Sequence, residues 1–327
     1  MEHEITALHD RLLQTLGTSY DFEREFAVAG MSRVFLFRER RFDRRVVAKV
    51  LAPELAAAVN AERFAQEVAL AARLQQANIV PVLDVGDVDG RPFYTMSRVE
   101  GESLRARLDA RGAASIADTV TIVRDVANAL SHAHAEGVVH WDIRPENIFL
   151  REHTAVVTDF GIASAIAASR APAPFEAMAL GEAPLGMPAY MAPEQTLGDP
   201  ATDHRADLYA LGVVAYELLA GERPFTATAP DDLIHAHATQ APPPLLARRP
   251  TIPVDLAALV TRCLTKDPAH RPASAGEVLK ALERVSEAPP DVLHGGPRES
   301  APPPRRRVAL AMIALFTFTT LLLATRC

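Results

Sequence analysis

Lysine is almost missing from this 327-residue chain: only Lys49, Lys266 and Lys280 occur, so arginine carries nearly all of the positive charge. Against that background a lysine set among apolar neighbours calls for a reason. Cysteine is nearly absent too. Cys263 and Cys327 lie too far apart for metal-ligand spacing or a disulfide framework, which points to a reducing compartment. The net charge of −7 argues against a dedicated nucleic-acid binder, which needs a basic face. The opening "MEHEITALHD" is acidic and lacks an apolar core, so no signal peptide is expected. No internal repeat is visible. What remains is ordinary globular composition, 49% apolar and 23% charged, with length for one large domain or two smaller ones.

The texture changes along the chain. Ile5, Leu8, Leu12, Leu13 and Leu16 fall at helical spacing, which predicts a short amphipathic helix within residues 1–19. From Tyr20 to about Tyr94 short β-like runs follow ("RVFLF", "RRVVAKVL", "IVPVLDVG", "RPFYTM"), broken by one helical stretch, Ala61–Gln76. After residue 100 long helical segments dominate, as at 115–136, 205–220 and 252–265. The expected class is α+β, a β-rich lobe followed by a larger α-helical one. Residues 286–307 are rich in proline and arginine and read as an unpacked tether. Val308–Ala324, "VALAMIALFTFTTLLLA", carries no charge. As a helix it is about 25 Å long, slightly short of a ~30 Å hydrocarbon core. It reads as a C-terminal transmembrane helix; a buried helix of the globular domain is the bland alternative. Arg305–Arg307 precede it and only Arg326 follows, which keeps the preceding chain in the cytoplasm. With so little chain after it, no extracellular sensor is expected.

Chemistry-bearing residues occur in a fixed order. Lys49 lies in "VVAKVL" and Glu67 in the helix of the β-rich half. Asp142 and Asn147 lie in "HWDIRPEN", after the first long helix of the second half. "DFG" at Asp159–Gly161 follows the strand-like "AVVT", and "APE" at Ala192–Glu194 begins 33 residues after Asp159. "DFG" alone is weak, but the ordered set is specific. Together with "MPAYMAPEQ" and "DLYALGVVAYELLAGERPF", it resembles the eukaryotic-type (Hanks-type) protein kinase family, and more closely its bacterial Ser/Thr branch, over about residues 20–285.

The resemblance implies a bilobal kinase domain over 20–285: an N-lobe at 20–96, a hinge at 97–99 and a C-lobe at 100–285. It implies ATP and Mg2+, or Mn2+ in its place, as cofactors. Lys49 would hold the α- and β-phosphates, and Glu67 would fix Lys49 by an ion pair; a solvated lysine and a rival acid, Glu62, are the alternatives. Asp142 would orient the substrate hydroxyl, and Asn147 and Asp159 would ligate the metal; singly, such residues are more often turn or cap residues. Met96 would be the gatekeeper, with Ser97 to Val99 offering backbone bonds to adenine. Val34, Val47 and Phe149 would enclose the ring, although core packing buries the valines equally. Glu194 would pair with Arg271, and Asp207 would tie the catalytic loop to the large lobe.

Several positions depart from the family pattern. The glycine-rich loop falls on Ala27, Ala29, Gly30 and Ser32, leaving one glycine where close backbone approach to phosphates favours three. Arg144 replaces a lysine at the γ-phosphate position, keeping the charge but with a larger planar fork. Met187 stands where a threonine hydroxyl is usual. Trp141 replaces an arginine that binds an activation-loop phosphate. Between Gly161 and Gly186 the only hydroxyls are Ser164 and Ser169, so receptor and ligand for that switch are missing together.

The expectation is a single-pass cell-membrane Ser/Thr protein kinase with a cytoplasmic catalytic domain, acting in signalling by phosphorylation of protein substrates and not controlled by activation-loop phosphorylation. A kinase-fold scaffold with little transfer activity is the alternative that the departures leave open. A small-molecule kinase fits poorly with the "APE" segment and the helices after it. No nucleic-acid partner is expected, and back-to-back small-lobe dimers in the family make a homodimer the assembly to look for.

Overall fold

A computed structural model describes residues 2–29, 32–169 and 188–286, all within one compact unit. Gly30, Met187 and the apolar run 308–324 lie outside the described residues, as does the tether beyond Ser286. Among the described residues no helix is long and apolar enough to cross a membrane.

Helix α1 (Glu2–Leu16) precedes β1 (Tyr20–Ala29), β2 (Ser32–Glu39), β3 (Arg44–Leu51), α2 (Pro53–Ala58), α3 (Ala61–Ala71), β4 (Val82–Val88) and β5 (Arg91–Ser97). The five strands form an antiparallel sheet in the order β1-β2-β3-β5-β4. Strand β3 sits at its centre, and its "RRVVAKVL" is buried on both faces apart from its arginine end and Lys49, as a central β-branched strand requires. One face is covered by α1, whose Leu8 and Leu12 pack on Phe35, Phe37, Val50 and Phe93. Asn60 caps α3, its side chain accepting from the Arg63 amide at 2.9 Å. The helix ends at Ala71, earlier than the expected Gln76.

The second lobe contains β6 (Glu102–Ser103), α4 (Leu104–Arg111), α5 (Ile116–Ala135), β7 (Ile148–Arg151), β8 (Thr154–Val157) and α6 (Ile162–Ser169). It continues with α7 (Pro193–Thr196), α8 (Arg205–Ala220), α9 (Pro230–Thr239), α10 (Leu245–Arg248), α11 (Val254–Cys263) and α12 (Ala275–Ser286). Helix α8 is the axis of this lobe. Every residue from Ala206 to Leu219 is buried, so its apolar character all round is that of a central core helix. It stops at Gly221, whose φ of +80° is the left-handed cap that ends helices.

Burying a carboxylate without partners is costly. Both acids on α8 are accounted for. Asp207 accepts from the His140 amide, the Trp141 amide and His134 Nε2, each at 2.8 Å. Glu217 accepts from Arg105 at 2.5 Å and from the Tyr190 hydroxyl at 2.6 Å. Glu194 of α7 is held by a two-pronged bond from Arg271, at 2.5 and 2.7 Å. The pairings expected for Asp207 and Glu194 are therefore both formed.

Candidate active site

The catalytic-loop candidates sit in the turn between α5 and β7. Two backbone amides, of His140 and Trp141, are fixed to Asp207, and Trp141 adopts φ +66°, a strained value for a residue with a Cβ. His140 is fully buried; its Nε2 meets the Thr158 carbonyl at 2.8 Å and its Nδ1 accepts from the Asp142 amide at 3.2 Å. Its ring meets Phe160 edge to face at 4.6 Å. The loop and the "DFG" turn are thereby locked together. Pro145–Asn147 form one 3-10 turn, which brings Asn147 back over Asp142: Asn147 Nδ2 donates to both the Asp142 carboxylate and its carbonyl, at 2.9 Å each.

Asp159 also has a positive φ, +65°, which swings its carboxylate toward the sheet. Its Oδ2 lies 2.5 Å from Lys49 Nζ, and its Oδ1 accepts from the Tyr94 hydroxyl at 2.7 Å. The Thr158 amide donates to the Asn147 carbonyl at 2.9 Å. Lys49, Asp159, Asn147 and Asp142 are thus joined by a continuous run of contacts in which Thr158 links Asp159 to Asn147. Glu67 is half-buried on α3 and makes no ion pair among the described residues; Lys49 is paired with Asp159 instead. Helix α6 accounts for the position of α3. Ile162, Ala165 and Ile166 pack on Phe64 and Val68, and the Asn60 amide donates to the Ser169 carbonyl at 2.9 Å.

The electrostatics follow from burial and partners. Burial alone would raise the Asp159 carboxyl, but the Lys49 charge and the Lys49 and Tyr94 hydrogen bonds hold it below its ordinary value. Burial pushes Asp142 up, although the Arg144 charge and the Asn147 hydrogen bond pull the other way. The Tyr94 phenol, buried beside Asp159, is pushed well above its ordinary value. Arg144 bonds Glu146 through Nε at 2.9 Å.

The adenine candidates gather as well. Val34, Val47 and Met96 form one apolar cluster with Leu36, Val80 and Val156, and Val99 and Phe149 pack against it. The hinge is anchored where the Arg98 amide donates to the Arg45 carbonyl at 3.0 Å. Ala27 and Ala29 lie on the last turn-ward residues of β1, where Ala29 pairs with Ser32 of β2. Sequence reasoning missed Tyr94, Thr158, Val80 and Val156. Tyr94 reads as one more alternating strand residue, and only the fold brings its hydroxyl to Asp159.

The donor set suits a nucleotide with a hard cation. Asp159 and Asn147 offer carboxylate and amide oxygens, the chemistry magnesium prefers, next to an ammonium suited to phosphate and an apolar cluster suited to a flat base.

The chain matches the protein kinase domain over residues 22–282. It is 36% identical over 281 residues to the serine/threonine-protein kinase PknB of Mycobacterium tuberculosis, covering 84% of this chain and 44% of that protein. It is 37% identical over 297 residues to the serine/threonine-protein kinase pkn3 of Myxococcus xanthus (88% and 53%), and 35% identical over 296 residues to PknH of M. tuberculosis (88% and 46%). The chain spans about half the length of the curated relatives it matches.

Proposed function

We propose a phosphotransferase reading for this chain, which belongs to the protein kinase family: it is a Ser/Thr protein kinase that moves the γ-phosphate of ATP to protein serine or threonine hydroxyls. The observation that carries the reading is the convergence of Lys49, Asp142, Asn147 and Asp159 beside one apolar cluster. Phosphoryl transfer has a loose transition state, so the protein acts mainly by positioning groups and offsetting charge.

In this reading Asp142 accepts a hydrogen bond from the substrate hydroxyl and aims its oxygen at the γ-phosphorus. Asn147 keeps Asp142 oriented through Nδ2. Asp159 and Asn147 are the residues that would hold magnesium, and the ion when bound would supply positive charge to offset that of the phosphates. Lys49 contacts the α- and β-phosphates and exchanges Asp159 for Glu67 as α3 approaches. Arg144 contributes charge near the γ-phosphate. Val34, Val47, Met96, Val99 and Phe149 enclose adenine, with Ser97–Val99 as the hinge and Ala27–Gly30 as the phosphate lid. The kinase domain is assigned to 20–285.

The test is phosphate incorporation from radiolabelled ATP into a generic protein substrate by the full chain. Asp142→Ala should lower it by about a hundredfold or more. Equal incorporation by both proteins would sink the reading.

Two finer assignments accompany it. The run 308–324 anchors the chain in the cell membrane with the kinase domain cytoplasmic, consistent with the arginines that precede it. Activity does not depend on activation-loop phosphorylation. The support is that Trp141 packs its indole on the core, and that the Ser169 hydroxyl is buried and bonded to the Ala165 carbonyl at 2.6 Å. Phosphopeptide mapping of active protein should find Ser164 and Ser169 unmodified. A stoichiometric phosphate on either, required for activity, overturns that assignment.

A further inference from the structure

Both oxygens of the Asp159 carboxylate are in use. Oδ2 holds Lys49 Nζ at 2.5 Å with the Thr158 hydroxyl at 3.3 Å, and Oδ1 accepts from the Tyr94 hydroxyl at 2.7 Å. The Tyr94 donor is not a chance surface contact. Its ring is 3% exposed and wedged among Leu51 and Leu55, Phe64 and Val68 of α3, and Ile162, Ala165 and Ile166 of α6. A ring so enclosed has little freedom, so its hydroxyl sits where α3, α6 and β5 put it. Strand β5 carries Tyr94 opposite Lys49 of β3 in the ladder, so the phenol and the ammonium approach Asp159 from neighbouring strands.

A carboxylate that already accepts a charged and a neutral hydrogen bond is a poorer ligand for a hard cation, because one bond must be given up for each oxygen engaged. The Lys49 contact can be replaced without loss of charge pairing, since Glu67 on α3 makes no ion pair among the described residues. The Tyr94 contact has no such exchange partner: among the described residues its hydroxyl bonds Asp159 alone. We infer that Tyr94 is a positioning residue whose hydroxyl competes with magnesium for Asp159 Oδ1, so that the metal engages fully only when that hydrogen bond is released. The inference rests on the reading of Asp159 as a metal ligand. It also makes metal affinity sensitive to the α3–α6 packing that fixes the ring.

Tyr94→Phe removes the hydroxyl and keeps the ring, and Tyr94→Met keeps apolar volume if the first variant folds poorly. The experiment uses the full chain loaded with ADP and titrates Mn2+, following the free ion by its paramagnetic resonance signal, with the Mg2+ needed for half-maximal transfer as the second readout. Both variants should bind the ion more tightly, by about tenfold for a hydrogen bond to a charged group, and should reach half-maximal transfer at correspondingly lower Mg2+. An unchanged or weaker ion affinity overturns the inference, and a fall in thermal stability alone marks the role as merely structural and does the same. If the wild-type chain binds no ion in the presence of ADP, the metal-ligand reading of Asp159 has failed along with it. If the wild type binds and the variants match it, only the role of Tyr94 has failed.

Discussion

At Asp142 the burial that raises the carboxyl also sets where activity is lost on acidification. In the proposed reading the group acts on the substrate hydroxyl as a carboxylate, so transfer should fall as pH drops through a value above the ordinary carboxylate range of about 4. Asp159 and Asp207 shift the other way: burial alone would raise them, but Lys49 holds Asp159 down, and His134, His140 and the loop amides hold Asp207 down. A depressed folded value stabilises the protein above the unfolded one and loses that stabilisation as pH falls through the folded value, below about 4. Transfer should therefore fade before circular dichroism reports unfolding; simultaneous loss of both would contradict the assignment. The Arg271–Glu194 pair belongs to the same scale. With Arg271 2% exposed and Glu194 6%, Arg271→Ala leaves a buried carboxylate alone and should cost about 3–5 kcal/mol in chemical denaturation. A loss under about 1 kcal/mol would show that water reaches Glu194. These residues were legible because each stands in a short motif of fixed spacing. Tyr94 was not, because its partner is 65 residues away and its own neighbours show only strand alternation.

Among the elements, the two-lobe division could be read from the change of period, and β2, β3, β5 and α8 fall where their patterns predict. Helix α6 could not. No helix is expected between "DFG" and "APE" from the motifs, although "IASAIAAS" is rich in a strong helix former. Its start is dictated by Gly161, which has φ +72° and whose missing Cβ would lie 2.6 Å from Ala71 Cβ of α3. Gly161→Ala should destabilise the fold by about 1–3 kcal/mol through overpacking and backbone strain. Ala71→Gly in the same chain should recover part of that loss, since it removes the clash and leaves the strain. Urea denaturation of the two singles and the double checks this. Strict additivity would mean that α3 and α6 move apart freely and do not form the contact described.

For the whole molecule, the two lobes form one compact unit, and the proposal at this scale is that dispersed polar residues serve a single nucleotide and its metal. The membrane assignment is separable. In flotation with anionic vesicles the full chain should rise with the lipid and a chain ending at Ser286 should not; equal behaviour would leave 308–324 without an anchoring role. In the proposed reading the glycine-poor lid, Arg144 and Met187 would bear on how fast the reaction runs, a cost that residue types alone do not measure. The central claim is tested most directly by calorimetric titration of the full chain with ATP, with and without magnesium. We predict saturable binding that weakens by about tenfold or more when magnesium is chelated, and that Asp159→Asn and Lys49→Met each reproduce most of that loss. Binding that ignores the metal and both substitutions would contradict it.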